Sequence, residues 1–312
     1  MADSICTHLK REEILNRARA AFLGLALGDA LGATTEFLLP GEIRFRHKVH
    51  NKIIGGGWLN LKAGQVTDDT QMSLCIARAI DQASGWDTTC IMKHFARWLK
   101  SRPIDVGATC RRSISRYILK GEIGKDYSDW DAGNGAAMRM APVALFALGD
   151  EMLHGKLAVE QARLTHNNKL SDAACITVGR LVQQAILGAA RPALHAIVRE
   201  LIEEFPKFQF NRYRGGASAY VVETLQTVFH YFFGTAHFEE CLVGVVNQGG
   251  DADTTGAIVG MIAGAFYGID GLPKKWLKKL DPVVRQEIEA LVVRLVDLSP
   301  LGRQLNLQAT LP

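Results

Sequence analysis

Apolar residues recur every three or four positions along most of the chain, which is the spacing of one face of an α-helix. This spacing is clear over residues 14–25, 72–80 and 91–99. It returns over residues 284–298, in a helix that Pro282 opens. The period of the pattern therefore predicts an all-α protein built from many helices of medium length.

The strict alternation of a β-strand is missing, although residues 52–61 would accommodate a short hairpin. Gly24, Gly28 and Gly32 lie four residues apart on one helical face, which favours close approach of a second helix. We find neither a low-complexity linker nor a repeat of 20–50 residues. Residues 1–312 are therefore predicted to form a single domain.

The composition of the chain argues against some classes of protein, among them nucleic-acid-binding and membrane-spanning proteins. The formal net charge is only +4, and no stripe of lysine and arginine indicates a nucleic-acid surface. The longest uncharged apolar stretch, residues 256–269, is too short and too rich in glycine for a transmembrane segment. The six cysteines are scattered, which is typical of buried thiols in a reducing compartment. We therefore expect a cytoplasmic protein without a signal peptide.

Two short segments each place two carboxylates and a threonine at the start of a predicted helix. The first, residues 67–70, precedes a helix over residues 71–83, and the second, residues 249–256, precedes a helix over residues 257–267. N-capping is the simplest explanation. However, a cap needs one carboxylate rather than two, and the apolar helices that follow place these ends in the interior. Four buried carboxylates without a counter-charge would be very costly.

A divalent metal ion would remove that cost, because carboxylate and hydroxyl oxygens are ligands that Mg²⁺, Mn²⁺ and Ca²⁺ prefer. Neither segment contains histidine or cysteine, which disfavours zinc. Two ions close together could share these ligands and activate a water molecule. Glu36 follows a helix that ends near Gly32, and it is either a salt-bridged structural group or an acid or base beside the metal.

Taken in order, these motifs resemble those of the ADP-ribosylglycohydrolase family, from about residue 18 to residue 271. The resemblance rests on six motifs: GLALGDALG at residues 24–32 followed by Glu36, TDDT at 67–70, DVG at 105–107, GNGAAMR at 133–139, TH at 165–166, and GGDADTTG at 249–256. It implies a compact multi-helix domain with a binuclear metal site at helix N-termini.

The resemblance also implies a role for particular residues. The ligands of two ions, Mn²⁺ or Mg²⁺, would be Thr67, Asp68, Asp69, Asp251, Asp253 and Thr254. The acidic groups beside the substrate would be Glu36, Asp105 and Asp131. The residues around ADP-ribose would be Asn134, Gly135, Met138, Arg139, His166 and Tyr220. Without the resemblance, Asp131 could be a turn residue, His166 a surface residue and Tyr220 a core residue.

The likeness is greatest to the branch of the family that acts on ADP-ribosylated dinitrogenase reductase. It implies removal of ADP-ribose from an arginine of that protein, and a PII-type signalling protein as a partner that carries the enzyme to the membrane. We expect a monomer. Three alternatives stay open: hydrolysis of serine-linked or free ADP-ribose, a two-metal hydrolase of phosphate esters, and an ADP-ribose sensor without turnover.

Overall fold

The computed structural model describes residues 10–124 and 126–309, with side chains as far as residue 306. This part of the chain forms fifteen α-helices. They are α1 (Arg11–Gly32), α2 (Pro40–His47), α3 (Asp68–Ala83), α4 (Thr88–Lys100), α5 (Ala108–Lys120), α6 (Ala141–Phe146), α7 (Glu151–Arg163), α8 (Lys169–Ile186), α9 (Arg191–Glu204), α10 (Val221–Gly234), α11 (Phe238–Val246), α12 (Ala252–Tyr267), α13 (Lys274–Leu277), α14 (Pro282–Leu298) and α15 (Pro300–Ala309).

The predicted all-α fold is confirmed. Within the described residues there is no β-strand, and β-pairing is limited to two isolated bridges. One bridge joins Gly56 to Leu61, inside the segment where a hairpin was predicted. The other joins Gly133 to Tyr220 and ties together two loops that reach the site described below.

Helices α1 and α12 form the centre of the molecule, and both are buried along most of their length. They approach so closely that a Cβ atom at Gly28 would lie 2.0 Å from the carbonyl oxygen of Gly256. Gly24 and Gly260 meet in the same way one turn further along. The predicted role of the glycine face is therefore confirmed: it brings together the two helices that carry Asp29 and Asp253.

Two helices begin earlier than their apolar pattern predicts. Helix α3 begins at Asp68 rather than at residue 71, and α12 begins at Ala252 rather than at residue 257. Apolar periodicity misses a first turn that is polar, yet acidic residues are favourable there because of the helix dipole. The predicted acidic segments are therefore the first turns of helices, and their carboxylates are held by helical backbone.

The cysteines and the apolar helices agree with what the sequence predicts. The five cysteines in the described part of the chain are all buried and carry free thiols. Among the described residues, no helix has both the length and the apolar character that crossing a membrane requires.

Candidate active site

The starts of α3, α5 and α12 surround one cleft of about 400 Å³. Ten of the predicted site residues line it: Glu36, Asp68, Asp105, Asn134, Gly135, Met138, His166, Asp251, Asp253 and Thr254. Thr67 and Asp69 lie just beneath this wall, within hydrogen-bonding distance of its residues. Neither lysine nor arginine is among the described residues that line the cleft. The cleft is therefore built to receive positive charge.

The N-terminus of α3 is capped from outside by Asp29 of α1. The Asp29 carboxylate accepts hydrogen bonds from the backbone N–H groups of Thr67 and Thr70 and from both hydroxyl groups, at 2.5–3.1 Å. The side chain of Thr67, the N-cap residue, makes no capping bond to its own helix. Because Asp29 satisfies these donors, Asp68 and Asp69 are not needed as caps and are available for another purpose.

At the N-terminus of α12, as at that of α3, the side chain of the N-cap residue does not cap its own helix. The side chain of its N-cap residue, Asp251, makes no capping bond and instead accepts a hydrogen bond of 2.7 Å from the Asn134 side-chain amide. The Thr254 hydroxyl donates to Oδ2 of Asp69 at 3.3 Å, which joins the two helix starts directly. The loop that contains Asn134 is therefore attached to the acidic cluster.

Glu36 reaches the same cluster from the segment after α1. Its carboxylate lies close to those of Asp251 and Asp253, with one oxygen from each residue within 4.8 Å of the others. The indole Nε1 of Trp58 donates a hydrogen bond of 2.6 Å to Oε2 of Glu36. Within the described residues, Glu36, Asp251 and Asp253 are the group whose spacing suits a metal ion, so Glu36 fits the role of a ligand as well as that of an acid or base.

Burial and mutual repulsion raise the pKa values of these carboxyl groups. Burial, with Asp105 and Asp251 nearby, raises the pKa of Glu36 to about 8, although the hydrogen bond from Trp58 opposes the shift. Burial and Asp105 raise the pKa of Asp68 to about 7. Burial raises the pKa values of Asp69 and Asp253 well above their usual range, and each is raised further by the other carboxylates. Protons or cations must therefore compensate the cluster.

The residues present fit a divalent metal centre. Oδ1 of Asp69 is fully buried and has no hydrogen-bond partner within the described residues, so a ligand position is open on it. The oxygen-only donor set suits Mg²⁺ or Mn²⁺ rather than zinc. The side chains placed to hold such ions are Glu36, Thr67, Asp68, Asp69, Asp251, Asp253 and Thr254.

Asp105 stands apart from this cluster on the cleft wall. It is half-buried and accepts a hydrogen bond of 2.7 Å from the N–H of Val106, and burial raises its pKa. Two residues later, the N–H of Gly107, the N-cap residue of α5, donates to Oδ2 of Asp68 at 3.0 Å. The 105–107 motif thus supplies one carboxylate to the cleft and one hydrogen bond to Asp68, a predicted metal ligand.

The predicted substrate loop lies against His166. A Cβ atom at Gly133 would lie 2.9 Å from Nε2 of His166, and one at Gly135 would lie 3.0 Å from its Cε1 atom, so a side chain at either position would press on the His166 ring. Nδ1 of His166 lies 2.8 Å from the hydroxyl of Thr165, which in turn accepts a hydrogen bond from Arg139. Thr165 therefore connects His166 to Arg139, which also donates to the carbonyl of Gly135 in the loop.

Three predicted residues are not brought to the cleft wall. Arg139 is fully buried, and its guanidinium donates to Gly135, Gln161 and Thr165, so it supports the loop from behind. Asp131 is buried in the short 3₁₀ turn Asp129–Asp131. Tyr220 is half-buried as the N-cap residue of α10 and lines a separate cavity next to Gly133.

Sequence reasoning assigned no role to Asp29, Phe37 or Trp58. A lone carboxylate inside an otherwise apolar helix was the available signal for Asp29, since such a group must have buried partners. Phe37 and Trp58 line the cleft, and their ring centroids lie 5.3 Å apart. An exposed tryptophan 22 positions after a glutamate carries no periodic signal, so this contact could not be read from spacing.

The fold and the site define an all-α protein with an acidic cleft at helix N-termini whose residues fit a metal centre. A model of the ADP-ribosylglycohydrolase family matches residues 10–304, and the chain belongs to this family. The chain is 52% identical to the ADP-ribosyl-[dinitrogen reductase] glycohydrolase of Rhodospirillum rubrum, over 92% of this chain and 97% of that protein. It is 32% identical to the ADP-ribosylarginine hydrolase Tri1 of Pseudomonas putida, over 96% and 83% of the two chains. A solved structure, described as an ADP-ribosylglycohydrolase-related protein complex, superposes with a TM-score of 0.81 at 34% identity and covers 92% of this chain and 99% of its own.

Proposed function

We propose that this protein hydrolyses the N-glycosidic bond between ADP-ribose and an arginine side chain of a modified protein, and that dinitrogenase reductase is its target. The observation that carries the proposal is the cleft wall, which holds five carboxylates and neither lysine nor arginine. Two of these carboxylates, Glu36 and Asp105, are not taken up by the metal ions proposed below, and they would attract a guanidinium leaving group. The relatives named above, a dinitrogen reductase glycohydrolase and an ADP-ribosylarginine hydrolase, support the linkage.

We assign the metal centre two ions, Mn²⁺ or Mg²⁺. When bound, they would supply positive charge that orients oxygen atoms of the ribose and acidifies water. Their ligands would be the buried carboxylates of α3 and α12 and the hydroxyls of Thr67 and Thr254, with Glu36 beside them. The raised pKa values of Glu36 and Asp68 mean that these groups give up protons when ions bind.

Cleavage of an N-glycoside passes through an oxocarbenium-like state, so one group must take a proton from water and another must assist the leaving group. Glu36 and Asp105 are the two cleft carboxyl groups suited to this exchange. Glu36 is held in place by Trp58, and Asp105 is half-exposed on the wall of the same cleft.

The diphosphate of ADP-ribose would lie where backbone N–H groups face the cleft. The first turn of α5 contributes Ala108 and Thr109 to the cleft wall, and its N-cap residue is a glycine without a capping side chain. The loop at residues 133–135 lies opposite, supported by Arg139. Helix N-termini and glycine loops of this kind bind anions without needing a lysine or arginine side chain.

The cellular setting that we propose rests on the resemblance of the sequence to the branch of the family that acts on ADP-ribosylated dinitrogenase reductase. It comprises a monomer in the cytoplasm, regulated by a PII-type signalling protein that brings it to the membrane. None of these features is needed for the chemistry of the cleft.

The proposed roles can be separated with two matched variants. Asp105→Asn and Asp253→Asn each remove one charge from the cleft without changing side-chain volume. We expect Asp105→Asn to reduce the release of ADP-ribose from arginine-modified protein by roughly a hundredfold or more while metal content stays unchanged. Asp253→Asn should lose both metal and turnover. Equal turnover of wild type and Asp105→Asn would remove Asp105 from the mechanism.

A further inference from the structure

Exposed hydrophobic side chains are concentrated in one segment of the chain, whose two ends, Phe37 and Trp58, line the cleft. Of the thirteen large hydrophobic residues that are exposed in the described part of the chain, six lie within residues 37–58. They are Phe37, Leu39, Phe45, Val49, Ile54 and Trp58. Apolar surface that gathers in one short segment, rather than being spread singly, marks a surface that binds something.

Part of this segment forms a second cavity, which we call the flanking groove. Its wall contains Phe37, Ile54 and Trp58 on the apolar side and Arg46 and His47 from the last turn of α2. Glu36, Phe37 and Trp58 line both the flanking groove and the catalytic cleft. The two cavities are therefore separated only by this aromatic wall.

The flanking groove differs from the cleft in charge. Residues 37–58 contain four lysines and arginines, at positions 44, 46, 48 and 52, and a single acidic residue, Glu42. Arg46 and Glu42 are 3.9 Å apart, and both side chains are about half exposed, so this contact neutralises little of the charge. The segment that contains the groove is thus basic and apolar. In the groove wall itself the charged side chains are Arg46 and Glu36, whereas the cleft wall contains neither lysine nor arginine.

We propose that the flanking groove binds the polypeptide around the ADP-ribosylated residue, and that acidic and apolar side chains of the substrate protein occupy it. This inference rests on the proposed function, which places the scissile bond at Glu36 and the metal ligands. Because Phe37 and Trp58 belong to the walls of both cavities, a polypeptide attached at the scissile bond can extend over them into the groove. A membrane surface seated on the same residues would cover the mouth of the cleft, so a protein substrate is the occupant that the geometry favours.

The test compares two substrates that differ only in the polypeptide: free ADP-ribosylarginine and a protein carrying ADP-ribosylated arginine. The variants are Arg46→Glu and Ile54→Ser, which change the groove and leave the cleft intact. Each should raise KM for the protein substrate, Arg46→Glu by roughly five- to tenfold, as expected for reversing a charge at the rim of an interface. For ADP-ribosylarginine, KM and kcat should stay at wild-type values.

The matched controls lie on α7, which contributes no residue to either cavity. Met152→Ser and Lys156→Glu make the same chemical changes at exposed positions and should leave KM for both substrates unchanged. If the groove variants alter neither substrate, or both equally, the inference is wrong. It is also wrong if Arg46→Glu abolishes binding to vesicles of anionic phospholipid without changing KM for the protein.

The inference and the proposed function fail in different ways. If the wild-type enzyme cleaves neither arginine-linked compound, the proposed linkage is wrong. The same comparison is then made with serine-linked ADP-ribose, as the free amino acid and on protein. A rise in KM confined to the protein substrate supports the flanking groove with either linkage, and its absence overturns it.

Discussion

The carboxylate of Asp29 accepts two hydrogen bonds from Thr67, one from the backbone N–H and one from the hydroxyl group, each 3.0 Å long. This contact joins the central helix α1 to the start of α3. It performs the capping that Asp68 and Asp69 would otherwise perform. The availability of two adjacent carboxylates for metal ions therefore depends on a third carboxylate that lies outside the cleft.

Replacing Asp29 should destabilise the protein and weaken the metal site. Asp29→Asn keeps the shape of the side chain but leaves only one acceptor oxygen. In the wild type, the donors of Thr67 and Thr70 bond to both oxygens of the carboxylate. We expect a loss of about 3 kcal/mol in the free energy of unfolding, since bonds to a buried charged group are worth more than neutral ones. Asp81→Asn is the control, because Asp81 lies in the last turn of α3, the helix that Asp29 caps, in a half-exposed pair with Arg294, and its loss should cost less than about 1 kcal/mol. Urea unfolding that gave equal values for both variants would contradict the capping role.

Trp58 should control the ionisation of Glu36. Trp58→Phe removes the hydrogen bond that stabilises the carboxylate, so the pKa of Glu36 should rise further. A bond of about 1.5 kcal/mol to a charged acceptor corresponds to roughly one pH unit. The acidic limb of the activity profile should therefore move to higher pH by about that amount. The control is Phe37→Leu, which changes the neighbouring ring and keeps the hydrogen bond from Trp58 to Glu36, so the acidic limb of its activity profile should not move. If the acidic limb of Trp58→Phe does not move either, Trp58 does not control the ionisation of Glu36.

The metal-free protein should lose stability as the pH rises. The pKa values of Glu36, about 8, and Asp68, about 7, lie above the usual values of unfolded carboxyl groups. Between about pH 5 and pH 8, the folded protein therefore binds more protons than the unfolded chain, and raising the pH lowers the free energy of unfolding. We expect Tm after chelation to fall from pH 6 to pH 8.5. Saturating Mn²⁺ or Mg²⁺ should raise Tm most at the alkaline end, and a chelated protein whose Tm rises with pH would contradict this assignment.

Arg139 should act through the fold rather than through ADP-ribose. Arg139→Met removes the guanidinium that donates to Gly135, Gln161 and Thr165 and so breaks this buried network. We expect a loss of about 3–5 kcal/mol in unfolding free energy, the range for breaking a buried charged network. A variant with wild-type stability and a selectively raised KM would instead return Arg139 to the substrate. Thermal unfolding and steady-state kinetics on the same preparation separate the two outcomes.

Much of the fold and of the candidate metal site can be predicted from the sequence, because the signals for both lie within short stretches of the chain. Apolar periodicity locates helices, and each acidic pair lies within a few residues of the helix that holds it. The partners of these residues are far away in the chain: Asp29 is 38 residues before Thr67, and Asn134 is 117 residues before Asp251. Such pairings depend on how the helices pack together, and the period of apolar residues along the chain does not predict that packing. Arg139 illustrates the same limit, since a motif indicates that a residue matters but not whether its side chain faces the cleft or the core.

The most direct test of the central claim is the release of ADP-ribose from equal amounts of arginine-linked and serine-linked modified protein, with ADP-ribosylated dinitrogenase reductase among the arginine-linked samples. The enzyme is first stripped by chelation and then supplied with Mn²⁺ or Mg²⁺. We expect release from the arginine linkage only after the metal is restored, together with recovery of the unmodified reductase. Preferential cleavage of the serine linkage, or full activity of the stripped enzyme, would contradict the account.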